Sequence, residues 1–239
     1  TYPSEEIRVA IAHDSRIKSD TFAQITADVF SANGFRVFLF PELRPTPQLS
    51  FAVRELKCHS GVVITASHNP KEYNGYKAYW NDGGQVIAPH DKNIIAEVQK
   101  IRSVDEVKFA GNAALIEKIG PELDAKYRRM ILGNVVFADV IKRQSNLKIV
   151  FTPIHGTGIT QVPQVLAEMG FTNVHIVEEQ AQPDGTFPTV VYPNPEEHEA
   201  MGLALKKAAE LDADLVMATD PDSDRVGIGV KNHHGKWQL

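Results

Sequence analysis

IRVAIAH, from Ile7 to His13, places apolar side chains in alternation over a short run and reads as a β-strand. Working outward, Phe22, Ile25, Val29 and Phe30 recur at helical spacing and stop at Asn33-Gly34, a favourable helix-ending pair. Phe35 to Phe40 is a second strand. Pro41, Pro45 and Pro47 make the next segment a loop, and Phe51 to Leu56 reads as a short helix entering a third strand, Gly61 to Thr65. Strand, helix, strand, helix, strand predicts a parallel or mixed α/β sheet with crossovers.

After Tyr76 to Trp80 and an Asn-Asp-Gly-Gly turn, the pattern is helical and charged from about Asp91 to Arg102 and again from Pro121 to Leu132. Lys142 to Asn146 is polar and precedes a fresh strand, Leu147 to Thr152, so a boundary is expected there, dividing the chain into domains 1–144 and 145–239. A second α/β series follows. It has a helix near Thr160 to Met169, a strand at Val174 to Val177, a proline-rich loop from Pro183 to Pro195, a helix from Glu196 to Leu211 and a strand at Leu215 to Ala218. Both halves repeat one architecture without a convincing sequence repeat.

Composition narrows the function. With 43% hydrophobic and 23% charged residues over 239 positions, the chain is an ordinary globular one. No stretch approaches the roughly 20 apolar residues of a membrane helix, and Ile131 to Ile141 is interrupted by Gly133, Asn134 and Asp139. No membrane partner is expected. The 25 basic against 30 acidic residues offer no cationic field for nucleic acid. Cys58, the single cysteine, excludes an internal disulfide and a thiolate metal cluster, which fits a reducing, cytoplasmic setting. The opening TYPSEEIRV shows no secretory signal pattern.

Two loops carry chemistry. Thr219-Asp220-Pro221-Asp222-Ser223-Asp224-Arg225 leaves one strand and enters another, and its three alternating carboxylates can converge on a hard divalent cation. An EF-hand is excluded, because its sixth and twelfth positions would fall on Arg225 and Lys231. The competing reading is an acidic surface turn. Thr65-Ala66-Ser67-His68-Asn69-Pro70, followed by Tyr73-Asn74-Gly75-Tyr76-Lys77, puts a serine at the end of a buried-looking strand. A hydrolase elbow would need glycines around Ser67 that are missing, and a plain turn is the other alternative. Phe22, Phe30, Phe38 and Phe40 are expected in the core, Cys58 as a buried small residue, and His233-His234 in a hairpin turn.

Taken together, TASHNPKEYNGYK and TDPDSDR resemble the phosphoserine loop and the metal loop of the α-D-phosphohexomutase superfamily, which contains phosphoglucomutase and phosphomannomutase. TPIHGTG, Thr152 to Gly158, and IAHDSR resemble further segments of that family, and PELRPTPQLSFAVREL looks closest to the branch that also holds the phosphopentomutases. The resemblance implies two three-layer α/β/α domains with mixed sheets, domains I and II of the family. It implies a phosphorylated Ser67 linked through one Mg²⁺ to Asp220, Asp222 and Asp224. It further implies a phosphosugar substrate, transfer between its 1 and 6 hydroxyls through a bisphosphate, and a bisphosphate activator such as glucose 1,6-bisphosphate.

A site holding phosphoserine, three carboxylates and one Mg²⁺ stays near −3, so cations must gather round it. Arg225, Lys71 and Lys77 are candidates, with Arg16 either a phosphate ligand or a brace for a surface loop. Lys77 is either a phosphate-binding cation or, if Tyr76, Tyr79 and Trp80 lower its pKa, a base. His68 is either a contact at the reacting centre or a neutral brace for its loop, and His155 is a candidate at a phosphate that the bare backbone of Gly156 and Gly158 would admit. The rivals are a phosphatase, a phosphopentomutase and a non-catalytic metal- or phosphosugar-binding remnant. Because the family has four domains, the chain is expected to be an N-terminal part lacking the C-terminal domains and inactive alone.

Overall fold

The computed structural model describes residues 6–239; the first five positions of the TYPSEEIRV segment lie outside the described residues. In chain order the elements are β1 (Arg8–His13), α1 (Ser19–Ala32), β2 (Arg36–Leu39), α2 (Thr46–Glu55), β3 (Ser60–Ile64), β4 (Tyr76–Trp80), α3 (His90–Val98) and β5 (Ile116–Lys118). Then come α4 (Pro121–Gly133), α5 (Ala138–Arg143), β6 (Ile149–Thr152), α6 (Val162–Met169), β7 (Val174–Ile176) and α7 (Glu178–Ala181). The chain finishes with α8 (His198–Leu211), β8 (Leu215–Thr219), β9 (Val226–Lys231) and β10 (Trp237–Gln238).

Two five-stranded mixed sheets result, ordered β4-β3-β1-β2-β5 and β10-β9-β8-β6-β7. The first has four parallel strands, β3, β1, β2 and β5, and the second three, β8, β6 and β7, and each has an antiparallel return, β3 to β4 and β8 to β9. The two chemical loops therefore occupy equivalent places, the turn between a parallel strand and its antiparallel neighbour.

Alternation along the strands separates two cores in the first sheet. Ala10, Ala12, Phe38, Phe40 and Val63 face α2 and α4, while Val9, Ile11, Val37, Leu39 and Val62 face α1. In the second sheet Val150, Val216 and Ala218 pack under Ala200, Met201 and Ala204 of α8. Phe40 and Phe151 are fully buried, and truncating either to alanine would destabilise by about 3–5 kcal/mol.

Helix α1 departs from expectation. Its buried face is Ser19, Ala23, Ala27 and Ser31, four small residues that let the helix lie close on the sheet, whereas Phe22 is 41% exposed. The helix does stop at Asn33-Gly34. Gly34 has φ 85°, Phe35 N–H donates to Phe30 O, and the Phe30 and Phe35 rings stack at 5.7 Å across the cap. Helix α2 begins at Thr46, five residues before the expected start, because Pro47 falls in the first helical turn, where its missing N–H is harmless.

Candidate active site

The reactive loops lie at the carboxyl ends of the central strands. In the first sheet the neighbours β1 and β3 lead into residues 14–16 and 65–67, and in the second β6 and β8 lead into 153–157 and 220–224. The carboxyl edge of such sheets is where ligands bind. The loops of the two sheets meet there, Ser67 against Asp220 and Thr46 against Asp222.

Ser67 is 9% exposed and adopts a left-handed backbone, φ 54°. Its N–H donates to Thr65 Oγ1 at 2.8 Å, and its Oγ donates to Asp220 Oδ2 at 2.9 Å. His68 Nδ1 is 3.4 Å from the same Oγ. Burial, with Arg225 adding to it, lowers the His68 pKa.

Asp220, Asp222 and Asp224 each turn a carboxylate oxygen into a common space, all within 4.8 Å of one another. Asp220 and Asp222 are fully buried, and Asp222 Oδ1 has no hydrogen-bond partner. Burial and then the neighbouring carboxylates push Asp220 up to about 8. An oxygen-only donor set with an unpartnered buried oxygen and surplus negative charge fits a hard divalent cation. Asp220, Asp222, Asp224 and the Ser67 oxygen are the residues that would hold it.

Lys77 comes back beside the loop on β4, opposite Val63 in the register of the hairpin. Its Nζ donates to Asp222 Oδ2 at 2.8 Å and Asp224 Oδ2 at 3.0 Å. Burial alone would lower its pKa, but Asp222 and Asp224 outweigh that and raise it. Of the two roles the sequence leaves open for Lys77, phosphate-binding cation or base, this pairing favours the cation. Arg225 donates its N–H to Asp220 Oδ1 and pairs its guanidinium with Glu196 at 3.2 Å, half-exposed at the rim. Lys71 is exposed on the serine loop.

Two further residues turn inward. Arg16 takes the loop-bracing one of its two expected roles, but from a buried position and not at the surface: its guanidinium is engaged by backbone carbonyls of the serine loop. His155 is buried and holds Gln182 O and Thr189 Oγ1 with its two ring nitrogens, so neither nitrogen is left for a phosphate. The bare backbone of Gly156 admits the Pro221 backbone, and that of Gly158 admits the Thr219 and Ser223 side chains. Thr157 N–H donates to Pro221 O at 2.8 Å, so this segment seats the acidic loop.

Thr46 was missed. Its N–H donates to Asp222 O and its Oγ1 to Asp222 Oδ2, both at 2.8 Å, from the first turn of α2. Reading Pro45-Thr46-Pro47 as a helix start would have placed it at the carboxyl edge of the sheet.

Comparison with known proteins agrees with this geometry. Residues 1–105 match the family model described as phosphoglucomutase/phosphomannomutase, alpha/beta/alpha domain I, and residues 125–235 match domain II. The chain is 38% identical to the "Probable phosphomannomutase" of Haemophilus influenzae, covering 98% of this chain and 48% of that protein. It is 40% identical to the phosphoglucomutase of Staphylococcus haemolyticus, covering 95% of this chain and 42% of that one. The chain thus spans less than half the length of these relatives. The solved structure of a phosphoglucomutase/phosphomannomutase family protein from Burkholderia thailandensis superposes with a TM-score of 0.74 at 23% identity, over 97% of this chain and 47% of that one, a likeness of fold. Two family models that between them take in most of the chain, on two matching α/β units, place it in the phosphoglucomutase/phosphomannomutase family.

Proposed function

We propose that the protein is a phosphosugar mutase of the phosphoglucomutase/phosphomannomutase type, in which Ser67 carries the phosphoryl group between the 1 and 6 hydroxyls of a hexose phosphate. The observation that carries this reading is the meeting of Ser67 Oγ with Asp220 Oδ2 at 2.9 Å, in a buried junction of loops from two sheets. In the proposed division, 1–144 supplies the serine and 145–239 the carboxylates.

A sugar hydroxyl attacks phosphorus, a new O–P bond forms, and the bond to Ser67 Oγ breaks. The resulting bisphosphate returns its other phosphoryl group to Ser67 after reorienting. His68, 3.4 Å from Oγ, stands on the leaving-group side of an in-line transfer, where its ring can hydrogen-bond the serine oxygen as the O–P bond breaks. Lys77 supplies fixed positive charge beside the transferring group, and Arg225 and Lys71 stand at the rim for the substrate's phosphate. When bound at the carboxylates, Mg²⁺ supplies charge neutralisation for the phosphoryl oxygens. Sugar bisphosphate would act as the activator that first phosphorylates Ser67.

The test is a coupled assay of the whole protein with glucose 1-phosphate, mannose 1-phosphate and ribose 1-phosphate. The reading expects isomerised hexose phosphate. Release of inorganic phosphate, or isomerisation of the pentose phosphate alone, would contradict it.

A further inference from the structure

Arg16 lies beneath the serine loop and gathers it from below. One guanidinium nitrogen donates to Ser67 O at 2.6 Å and Asn69 O at 2.5 Å, and the other to Pro70 O at 2.8 Å and Tyr73 O at 2.9 Å. Its Nε makes a close ion contact, 3.3 Å, with buried Asp14. Four carbonyls converging on one planar fork define the path of the loop, including the left-handed turn at Ser67 that its neighbours must enforce.

One face of that guanidinium is covered from the other half of the molecule. The Phe187 ring lies 5.1 Å from Arg16 Cζ and is 2% exposed. Phe187 itself has φ 45°, and the segment bearing it is pinned at both ends by the two ring nitrogens of His155. Gly185, two residues earlier, passes so close to the first unit that a Cβ there would come within 2.5 Å of Ile17 N. A desolvated guanidinium is strongly attracted to an aromatic face, and the ring also excludes water that would compete for the carbonyls.

We infer that Phe187 is a positioning residue for Ser67, acting through Arg16, so that the serine loop takes its reactive pose only when the metal-bearing half is docked against it. Phe187 acts at one remove, on the Arg16 guanidinium. It fixes the fork that fixes the loop, and a small misplacement of a reacting oxygen slows transfer severely. The inference rests on the phosphoserine reading of Ser67 for its catalytic consequence, while its structural consequence can be read independently.

The experiment compares the whole protein with Phe187→Leu, which keeps apolar bulk and removes the ring face, and with Arg16→Lys, which keeps charge and removes the fork. Hydrogen exchange of the 66–74 segment, read by mass spectrometry, should speed up about tenfold or more in both variants, with β3 unchanged. In Phe187→Leu, kcat should fall about tenfold while the sugar phosphate KM and the Mn²⁺ dissociation constant stay within about twofold. Exchange at the wild-type rate in either variant would overturn the inference, as would a kcat loss accompanied by equal loss of Mn²⁺ affinity. A wild-type protein without mutase turnover would remove the proposed function and leave the exchange comparison to decide this one.

Discussion

Ser67 Oγ and Asp220 Oδ2 stand 2.9 Å apart although 153 positions separate the residues in the chain. Each sits just past the parallel strand that turns into its sheet's antiparallel return, β3 or β8, so loops from equivalent places in the two sheets join nucleophile and carboxylates. The chemistry thus belongs to the junction of the units.

Asp222 is fully buried with an unpartnered oxygen, and it also anchors Lys77 and Thr46. Asp222→Asn is expected to weaken Mn²⁺ binding by at least about tenfold, roughly 1.4 kcal/mol or more, and to lower turnover with it. Calorimetric titration of the variant checks this; wild-type affinity would remove Asp222 from the metal site.

Thr46 ties the first unit to the metal loop by two hydrogen bonds. Thr46→Val keeps the shape of the side chain and deletes the bond to Asp222 Oδ2, weakening the support of a fully buried carboxylate. The metal-free protein should lose about 1–3 kcal/mol of unfolding free energy, measured by urea denaturation, with Mn²⁺ affinity falling as the loop loosens. Unchanged stability would mean that the backbone bond alone seats the loop.

Gly156 has no room for a side chain, since a Cβ would run into the Pro221 backbone at the start of the acidic loop. Gly156→Ala is therefore expected to displace that loop, destabilising the protein by about 1–3 kcal/mol and weakening metal binding. Thermal melts with and without Mn²⁺ report both effects, and a smaller metal-induced rise in Tm than in wild type is the expected sign.

Cys58 is 2% exposed, and burial pushes its thiol up to about 12. At pH 8 only about one thiol in 10⁴ is ionised, so native protein should resist alkylation by iodoacetamide at a pH where denatured protein reacts fully. Labelling should rise with pH toward 12. Rapid native labelling at pH 8 would place Cys58 at the surface.

The two α/β series, the cap at Asn33-Gly34 and the strand-end loops are legible in the sequence because each depends on local period and turn chemistry. The remaining features depend on what lies opposite. Alanines 23 and 27 face the sheet in place of Phe22 because a helix packed closely on a sheet favours small residues, which apolar periodicity alone does not reveal. Arg16, Lys77 and His155 all look like ligand-binding side chains when read as residue types. Only tertiary partners show that Arg16 holds carbonyls, that Lys77 is clasped by two carboxylates and that His155 pins the segment bearing Phe187. Pro45-Thr46-Pro47 marks a helix start and so places Thr46 at the sheet edge, but its bond to Asp222, 176 positions away, is a tertiary fact.

The most direct measurement is the intact mass of the whole protein after incubation with Mg²⁺ and glucose 1,6-bisphosphate, with peptide mapping of the product. A gain of one phosphoryl group on Ser67, absent from Ser67→Ala and accompanied in that variant by a loss of mutase turnover of at least about 10³-fold, is the predicted result. No gain in mass, or a phosphoryl group on any other residue, would contradict it.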